Sequence, residues 1–330
     1  MRPGARTFIS AGGEVSGLVS GGCLERDLAE RARALSAAEP VQLVTYDLRD
    51  DAEIDFGLGF GCKGKLTILL ERIDPSDPTN VCEHLDALWH SAEPRSAVCA
   101  LILDGAQLGA RLWHCEDRVC RVKIGDSPLA QVLARACVDV RSGGRSRIVS
   151  AGGGRAFVEY LPRRTTLAIF GAGLDAVPVV LRARALGFRV TLWDQRESAL
   201  AQAAFAACEE RHVIAVSDMA AAAAGIAADA VLVMTHNYRA DLAVLRGLAA
   251  APPVYVGLLG PRERALELRT ELGQAGVILG PLFSPAGLDL GAETPEAIAI
   301  AIIAEIHAVL CGRPGGSLRH RGGPIHERVD

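Results

Sequence analysis

The feature that most constrains the fold is a regular alternation of strand-like and helix-like segments that begins at Leu167. Short apolar runs alternate with amphipathic or alanine-rich stretches, as they do in βαβ units. Strands with near-continuous apolar sequence are typical of parallel sheets that are covered by helices on both faces. The runs read as strands are LAIFGAG, RVTLWD, HVIAV, AVLVMTH and VYVGLLG, and those read as helices include AVPVVLRARALGF, ESALAQAAFAACEE, DLAVLRGLAA and RERALELRTEL. The pattern predicts a Rossmann-like parallel sheet domain over residues 163–313.

Residues 1–162 show a different pattern, which predicts a mixed α/β domain. TFISAGGEVSGLVSGG reads as a hairpin, and an amphipathic helix is expected over residues 23–35. VQLVTYDL and KLTILLERI read as strands, and residues 98–124 read as an antiparallel meander. The fold class is therefore α/β, with an N-terminal mixed domain and a C-terminal Rossmann-like domain. Residues 314–330 form a tail that is expected to be mobile, because it has little to bury.

Composition and charge limit the classes of partner that this chain is expected to bind. It has 330 residues, of which 50% are hydrophobic, and its formal net charge is −4. This charge provides no general attraction to nucleic acid or to an anionic membrane, so neither is expected as a partner. The nine cysteines lack the spacing of a disulfide framework, which indicates a reducing compartment and predicts a cytoplasmic protein. The longest apolar stretch is interrupted by Asp229, and no signal peptide is recognisable at the start.

A glycine-rich turn follows the first strand of the predicted Rossmann-like domain. Gly171, Gly173 and Ala176 fit the pattern G-x-G-x-x-A, and Asp194 ends the next strand. In this arrangement backbone amides bind a pyrophosphate and the acid binds a ribose, which makes these residues candidates for NAD(P) or another nucleotide. Two observations leave open the alternative that this turn binds no nucleotide. Such a turn can serve close helix packing alone, and the carboxylate of Asp175 would repel a pyrophosphate beside it.

Other polar residues follow the later strands of the same predicted sheet. Thr235, His236 and Asn237 come after one strand, and Arg262 comes shortly after the next. Because ligands bind outside the carboxyl ends of parallel strands, His236, Asn237 and Arg262 are candidate ligand-binding residues. Together His236 and Arg262 would supply the acid–base group and the cation of an NAD(P)-dependent oxidoreductase. The alternative is that His236 and Asn237 cap the next helix and that the arginine is solvated.

A second glycine-rich turn lies in the N-terminal half and carries a thiol. Cys62 follows the three alternating glycines Gly57, Gly59 and Gly61 and precedes Lys63. Glycines permit close approach of a ligand, and adjacent lysines favour the thiolate, so Cys62 is a candidate nucleophile or metal ligand. Cys23 follows a similar Ser-Gly-Gly turn at the start of a predicted helix, although we favour burial in a tight turn there. No C-x-x-C pair is present, which argues against structural zinc.

The order of motifs along the chain resembles a known family. The segments SGGCLE, DFGLGFGCKG, FVEYLP, IFGAG, RVTLWDQR, VMTHNY, YVGLLGPRER and GLDLGAETPEAIAIAIIAEI are similar to those of the XdhC/CoxI family of xanthine dehydrogenase accessory proteins. This resemblance implies a chaperone that holds the molybdenum cofactor (molybdopterin), supports its sulfuration and inserts it into a molybdenum hydroxylase. The implied partners are that hydroxylase, a cysteine desulfurase and a second copy of the chain. It also implies that Cys62 contacts the metal centre or its sulfur.

The chain departs from the family pattern at two places. The family motif commonly reads Cys-Gly-Gly, whereas Lys63 follows Cys62 here. The chain opens at PGAR, where relatives continue from an N-terminal helix and strand, so we expect this element to be missing or the start to be misassigned. Two other functions stay open beside the chaperone. One is the NAD(P)-dependent oxidoreductase, and the other is a docking protein that recruits the desulfurase and the hydroxylase without holding the cofactor.

Overall fold

The computed structural model describes residues 3–19, 24–47, 65–115, 118–125, 128–151 and 154–322. The chain divides after Arg163 into two compact units, an N-terminal mixed unit and a C-terminal Rossmann-like unit. Among the helices of the described ranges, none is long and apolar enough to cross a lipid bilayer.

The first part of the N-terminal unit contains two short antiparallel sheets and one helix. Its elements are β1 (Thr7–Ile9), β2 (Val15–Gly17), α1 (Glu25–Ala34), β3 (Val41–Asp47) and β4 (Lys65–Glu71). β1 pairs with β2, and β3 pairs with β4 over seven residues. The predicted hairpin, helix and strands are confirmed. They bury a small core that contains Val19, Leu24, Leu28, Val44 and Leu70.

The second part of the N-terminal unit is an antiparallel sheet with a helix on each face. Its elements are α2 (Val81–Trp89), β5 (Ala97–Ile102), β6 (Arg111–Cys115), β7 (Arg118–Val122), α3 (Pro128–Gly143), β8 (Arg147–Ala151) and β9 (Gly154–Leu161). The five strands lie in the order β7-β6-β5-β9-β8. α3 packs on one face through Leu133, Cys137 and Val140, and α2 packs on the other against Trp113. The predicted meander is confirmed as β5 to β7, whereas α2, α3 and β8 were not predicted.

The C-terminal unit confirms the predicted parallel sheet. Its elements are β10 (Thr166–Phe170), α4 (Ala176–Ala185), β11 (Arg189–Asp194), α5 (Glu197–Leu200), β12 (Glu210–Val213), α6 (Met219–Ala224), β13 (Ala230–Val233), α7 (Tyr238–Leu248), β14 (Tyr255–Leu258), α8 (Arg262–Gln274) and α9 (Pro295–Leu310). The strand order is β12-β11-β10-β13-β14, and all neighbours are parallel.

Helices cover both faces of this sheet, and alternate strand residues point to each side. On one face Ile169, Leu192 and Leu232 pack with α4 and α9. On the other face Phe170 and Val233 pack with α6, α7 and α8. α9 begins at Pro295, because the Thr294 hydroxyl accepts a hydrogen bond from the Ala297 amide and proline is favoured in the first turn of a helix.

One predicted helix of this unit was wrong in extent. The segment ESALAQAAFAACEE forms α5 only as far as Leu200, and a single 3₁₀ turn follows at Ala203–Phe205. The helix breaks at Gln202, whose backbone is extended at φ −60° and ψ 136°. This bend places Phe205 in the core, where it is 0% exposed. Tertiary burial of one aromatic ring therefore outweighs the helix propensity of the alanines.

Candidate functional site

The strand order reverses direction between β10 and β13, which creates a crevice at their carboxyl ends. From β10 the chain proceeds to β11 and β12 on one side and then returns to β13 on the other. Open parallel sheets bind ligands at such a switch point. Gly171 follows β10 with φ +117°, and a Cβ on it would lie 2.2 Å from the carbonyl oxygen of Met234. Gly171 is therefore required for the close approach of these two backbones.

A carboxylate and an imidazole lie together at this crevice. Asp175, the residue before α4, places Oδ2 2.7 Å from Nε2 of His236, which follows β13. The backbone of His236 is left-handed at φ +55°, a conformation uncommon outside glycine. The histidine side chain is 61% exposed, so the pair lies at the surface. A carboxylate that orients an imidazole in this way favours proton transfer at the other ring nitrogen.

The second glycine of the turn lies directly against this pair. A Cβ built on Gly173 would lie 2.3 Å from Oδ1 of Asp175 and 3.8 Å from Cδ2 of His236. Although Asp175 is the N-cap residue of α4, its side chain makes no capping hydrogen bond. The space that Gly173 leaves open is thus filled by a carboxylate of the chain itself.

Asp194, the predicted ribose-binding acid, is buried at the end of β11. It is 4% exposed, and its Oδ2 accepts a hydrogen bond from the Ala172 amide at 2.7 Å. Arg196 donates to both carboxylate oxygens, from Nε at 2.9 Å and from Nη2 at 2.8 Å. Burial opposes ionisation, but the hydrogen bonds from Arg196 and Ala172 outweigh it and hold the pKa of Asp194 below its ordinary value. Arg196 was not a predicted site residue, although its position two residues after Asp194 was a usable signal.

Two polar residues after β13 form hydrogen bonds with α7. Asn237 caps α7, because its side-chain oxygen accepts hydrogen bonds from the amides of Arg239 and Ala240. The alternative that Asn237 caps the next helix is therefore confirmed. Thr235 donates to the buried carboxylate of Asp241, a residue that the sequence reasoning missed.

Arg262 lies on the neighbouring strand–helix connection. It is the first residue of α8, which follows β14, and its side chain is exposed. Within the described part of the chain, Arg262 takes part in no ion pair. The structure brings Gly171, Gly173, Asp194 and His236 to the crevice between β10 and β13, whereas Arg262 belongs to the next connection.

The thiol turn lies outside the described residues. This applies to Cys62 and also to Gly57, Gly59, Gly61, Lys63 and Cys23, so their predicted roles stay predictions. Cys99 and Cys137 are buried thiols, and burial raises the pKa of each to about 12. Cys82 and Cys311 are exposed. In the described ranges, no group of three or more His, Cys, Asp and Glu side chains is placed to hold a metal ion.

Two family descriptions match this chain. The XdhC Rossmann domain matches residues 167–306, and the XdhC and CoxI family matches residues 1–47. The chain belongs to the XdhC and CoxI family. The resemblance inferred from the motifs is confirmed, and the fold of the C-terminal unit agrees with the Rossmann description.

Individual relatives extend the likeness along the chain. It is similar to a protein of Bacillus subtilis strain 168 that is named as a probable subunit of xanthine dehydrogenase. The two are 27% identical over 305 residues, and this alignment covers 92% of this chain and 87% of that protein. The chain is also 30% identical over 172 residues to the uncharacterized protein YqeB of Escherichia coli K12, covering 51% of this chain and 31% of YqeB. A crystal structure of a xanthine dehydrogenase from Bacillus halodurans is similar with a TM-score of 0.75 and 26% identity, over 98% of this chain and 90% of that chain.

Proposed function

We propose that this member of the XdhC and CoxI family matures a molybdenum hydroxylase of the xanthine dehydrogenase or CO dehydrogenase type. It binds the molybdenum cofactor as cargo, protects it, supports its sulfuration and inserts it into the hydroxylase. The observation that carries this proposal is the similarity over 92% of the chain to a protein named as part of a xanthine dehydrogenase, together with the family match.

Cys62 is the residue we assign to the metal centre of the cargo. A soft thiolate suits a sulfur-rich metal compound, and the neighbouring lysine suits the cofactor's phosphate. Gly57, Gly59 and Gly61 have no side chains, which favours close approach of a ligand to their backbone amides. The partners of this role are the hydroxylase, a cysteine desulfurase and a second copy of the chain.

The oxidoreductase alternative uses His236 and Arg262, and these two residues lie on different strand–helix connections. His236 lies at the crevice between β10 and β13, whereas Arg262 begins α8 after β14. The maturation role is supported by the similarity over 92% of the chain to a protein named as part of a xanthine dehydrogenase.

The cargo is tested by producing the full chain together with the cofactor pathway. The purified protein is oxidised, and the fluorescent pterin it releases is quantified. We expect pterin on the wild type and a loss of most of it in Cys62→Ser. No pterin on the wild type, or an unchanged load in Cys62→Ser, contradicts the proposal.

Cys82→Ser is the matched control. Cys82 is an exposed cysteine of the same unit, but partial desolvation of its thiol and the nearby carboxylates of Glu71 and Glu83 raise its pKa. We therefore expect Cys82→Ser to retain the pterin load of the wild type. A pure docking protein would give a different result, since it would capture the desulfurase and the hydroxylase while carrying no pterin.

A further inference from the structure

The glycine turn of a dinucleotide-binding domain serves a known purpose at its second glycine. The absent side chain allows the pyrophosphate to approach the backbone at the N-terminus of the following helix. In this chain the equivalent glycine is Gly173, and α4 is the following helix. The space beside Gly173 is therefore where the two phosphates of NAD(P) would lie.

That space holds a carboxylate of the chain. Oδ1 of Asp175 lies 2.3 Å from the position that a Cβ on Gly173 would take. The other carboxylate oxygen, Oδ2, is 2.7 Å from Nε2 of His236. The side chain is thus held across the crevice by a residue that follows the neighbouring strand β13, and it does not cap its own helix.

Two amides of the turn also have partners within the chain. The Gly171 amide donates to the Trp193 carbonyl at 2.8 Å, and the Ala172 amide donates to Asp194 at 2.7 Å. Arg196 donates to both oxygens of Asp194 and interacts electrostatically with Asp175. A pyrophosphate that entered the crevice would meet the charge of Asp175 at short range, and the guanidinium of Arg196 is already paired with Asp194.

We propose that Asp175 fills the pyrophosphate position of the Rossmann-like unit and excludes dinucleotides from it. His236 holds the carboxylate in that position. Asp175, which lies between Gly173 and Ala176 in the glycine turn, is then the residue that determines ligand specificity. The unit keeps the Rossmann fold without serving as an NAD(P) site. This inference concerns only the C-terminal unit, and it holds whether or not the chain carries a pterin.

The test measures NADH and ADP-ribose binding to the full chain by calorimetry and by nucleotide fluorescence. We expect no saturable binding to the wild type at concentrations up to about 1 mM, which corresponds to a very weak site. In Asp175→Ala, which removes both the charge and the bulk, we expect binding at least about tenfold tighter than in the wild type. Asp175→Asn, which removes the charge alone, is expected to show a smaller gain.

Asp218→Asn is the matched control for the charge. Asp218 is also the N-cap residue of a helix in this unit, α6, and it likewise makes no side-chain capping hydrogen bond. This variant should bind NADH as poorly as the wild type. Tight binding of NADH to the wild type overturns the proposal, as does the absence of any gain in Asp175→Ala. If Asp175→Ala does not fold, Asp175→Asn decides, and no gain there overturns the proposal as well.

Discussion

Asp241 in α7 is only 1% exposed, and its Oδ2 accepts hydrogen bonds from Nε and Nη2 of Arg264 in α8, at 2.9 and 2.6 Å. The hydroxyl of Thr235 donates to the other carboxylate oxygen. A buried carboxylate is stable only when it is paired and hydrogen-bonded. This pair therefore joins the first turns of two helices next to the carboxyl ends of β13 and β14.

Replacement of Arg264 by Met should destabilise the C-terminal unit. The change leaves the charge of Asp241 buried without a cation, and we expect the free energy of unfolding to fall by about 2–4 kcal/mol. Urea denaturation measures the effect. Arg262→Met is the control, because Arg262 lies two residues earlier on the exposed side of α8 and should change stability by less than about 0.5 kcal/mol. Equal effects of the two variants would contradict the assignment.

Asp194→Asn should lower stability in a pH-dependent manner. The pKa of Asp194 lies below its ordinary value of 3.8, so its ionised form stabilises the folded state above that pH. We expect the variant to lose about 1–3 kcal/mol at neutral pH, and the loss to stay constant down to about pH 5. Below about pH 4 the difference should shrink as Asp194 of the wild type is protonated. Denaturation curves between pH 3 and pH 7 check this, and a difference that grows with acid would be evidence against it.

The two glycines of the turn should respond differently to alanine. In Gly171→Ala the new Cβ would meet a backbone carbonyl at 2.2 Å, at a residue with φ +117°. We expect a loss of about 2–4 kcal/mol, or no folded protein. In Gly173→Ala the obstacle is the end of the flexible Asp175 side chain, so the loss should be smaller.

Thermal unfolding of both glycine variants, with Gly273→Ala as control, measures the difference. Gly273 lies in α8, and an alanine there would meet no atom within 4 Å. Alanine has the higher helix propensity, so this control should be neutral or stabilising by up to about 1 kcal/mol. A greater loss in Gly173→Ala than in Gly171→Ala would show that the backbone approach at Gly171 is not the tighter constraint.

Alkylation of the native protein should separate the cysteines by burial. Cys311 is exposed, whereas burial raises the pKa of Cys99 and Cys137 to about 12, so their thiolate fraction at pH 8 is very small. We expect iodoacetamide to modify Cys311 at least about 100-fold faster than these two. Mass spectrometry of peptides after timed quenching gives the rates. In concentrated urea the three rates should converge, and persistent differences there would mean that burial is not the cause.

Much of the fold could be predicted from local sequence. The five strands of the parallel sheet are short apolar runs, and helical patterns such as those of α4 and α7 follow β10 and β13. α3 was missed even though its buried residues Ala130, Leu133, Ala136, Cys137 and Val140 follow the helical spacing. α2 also was missed, although Asn80 accepts a hydrogen bond from the Glu83 amide as its N-cap residue.

The candidate site could be predicted only as a set of residue types near one edge of the sheet. The pattern of Gly171, Gly173 and Asp194 is the same whether a nucleotide or the chain itself occupies the turn. Asp175 was noted in the sequence as an obstacle to a pyrophosphate. Its partner, His236, lies 61 residues away, so no local pattern indicates their contact.

The sequence by itself determined the class of fold, the family and the order of strands and helices, because hydrophobic periodicity and turn residues act over a few positions. The tertiary structure alone decided the partners of the polar groups. Asp194 is hydrogen-bonded to the Ala172 amide, Asp241 to Arg264, and Asp175 to His236. These pairings depend on which strand ends the sheet brings side by side, and that placement is a property of packing across the whole unit.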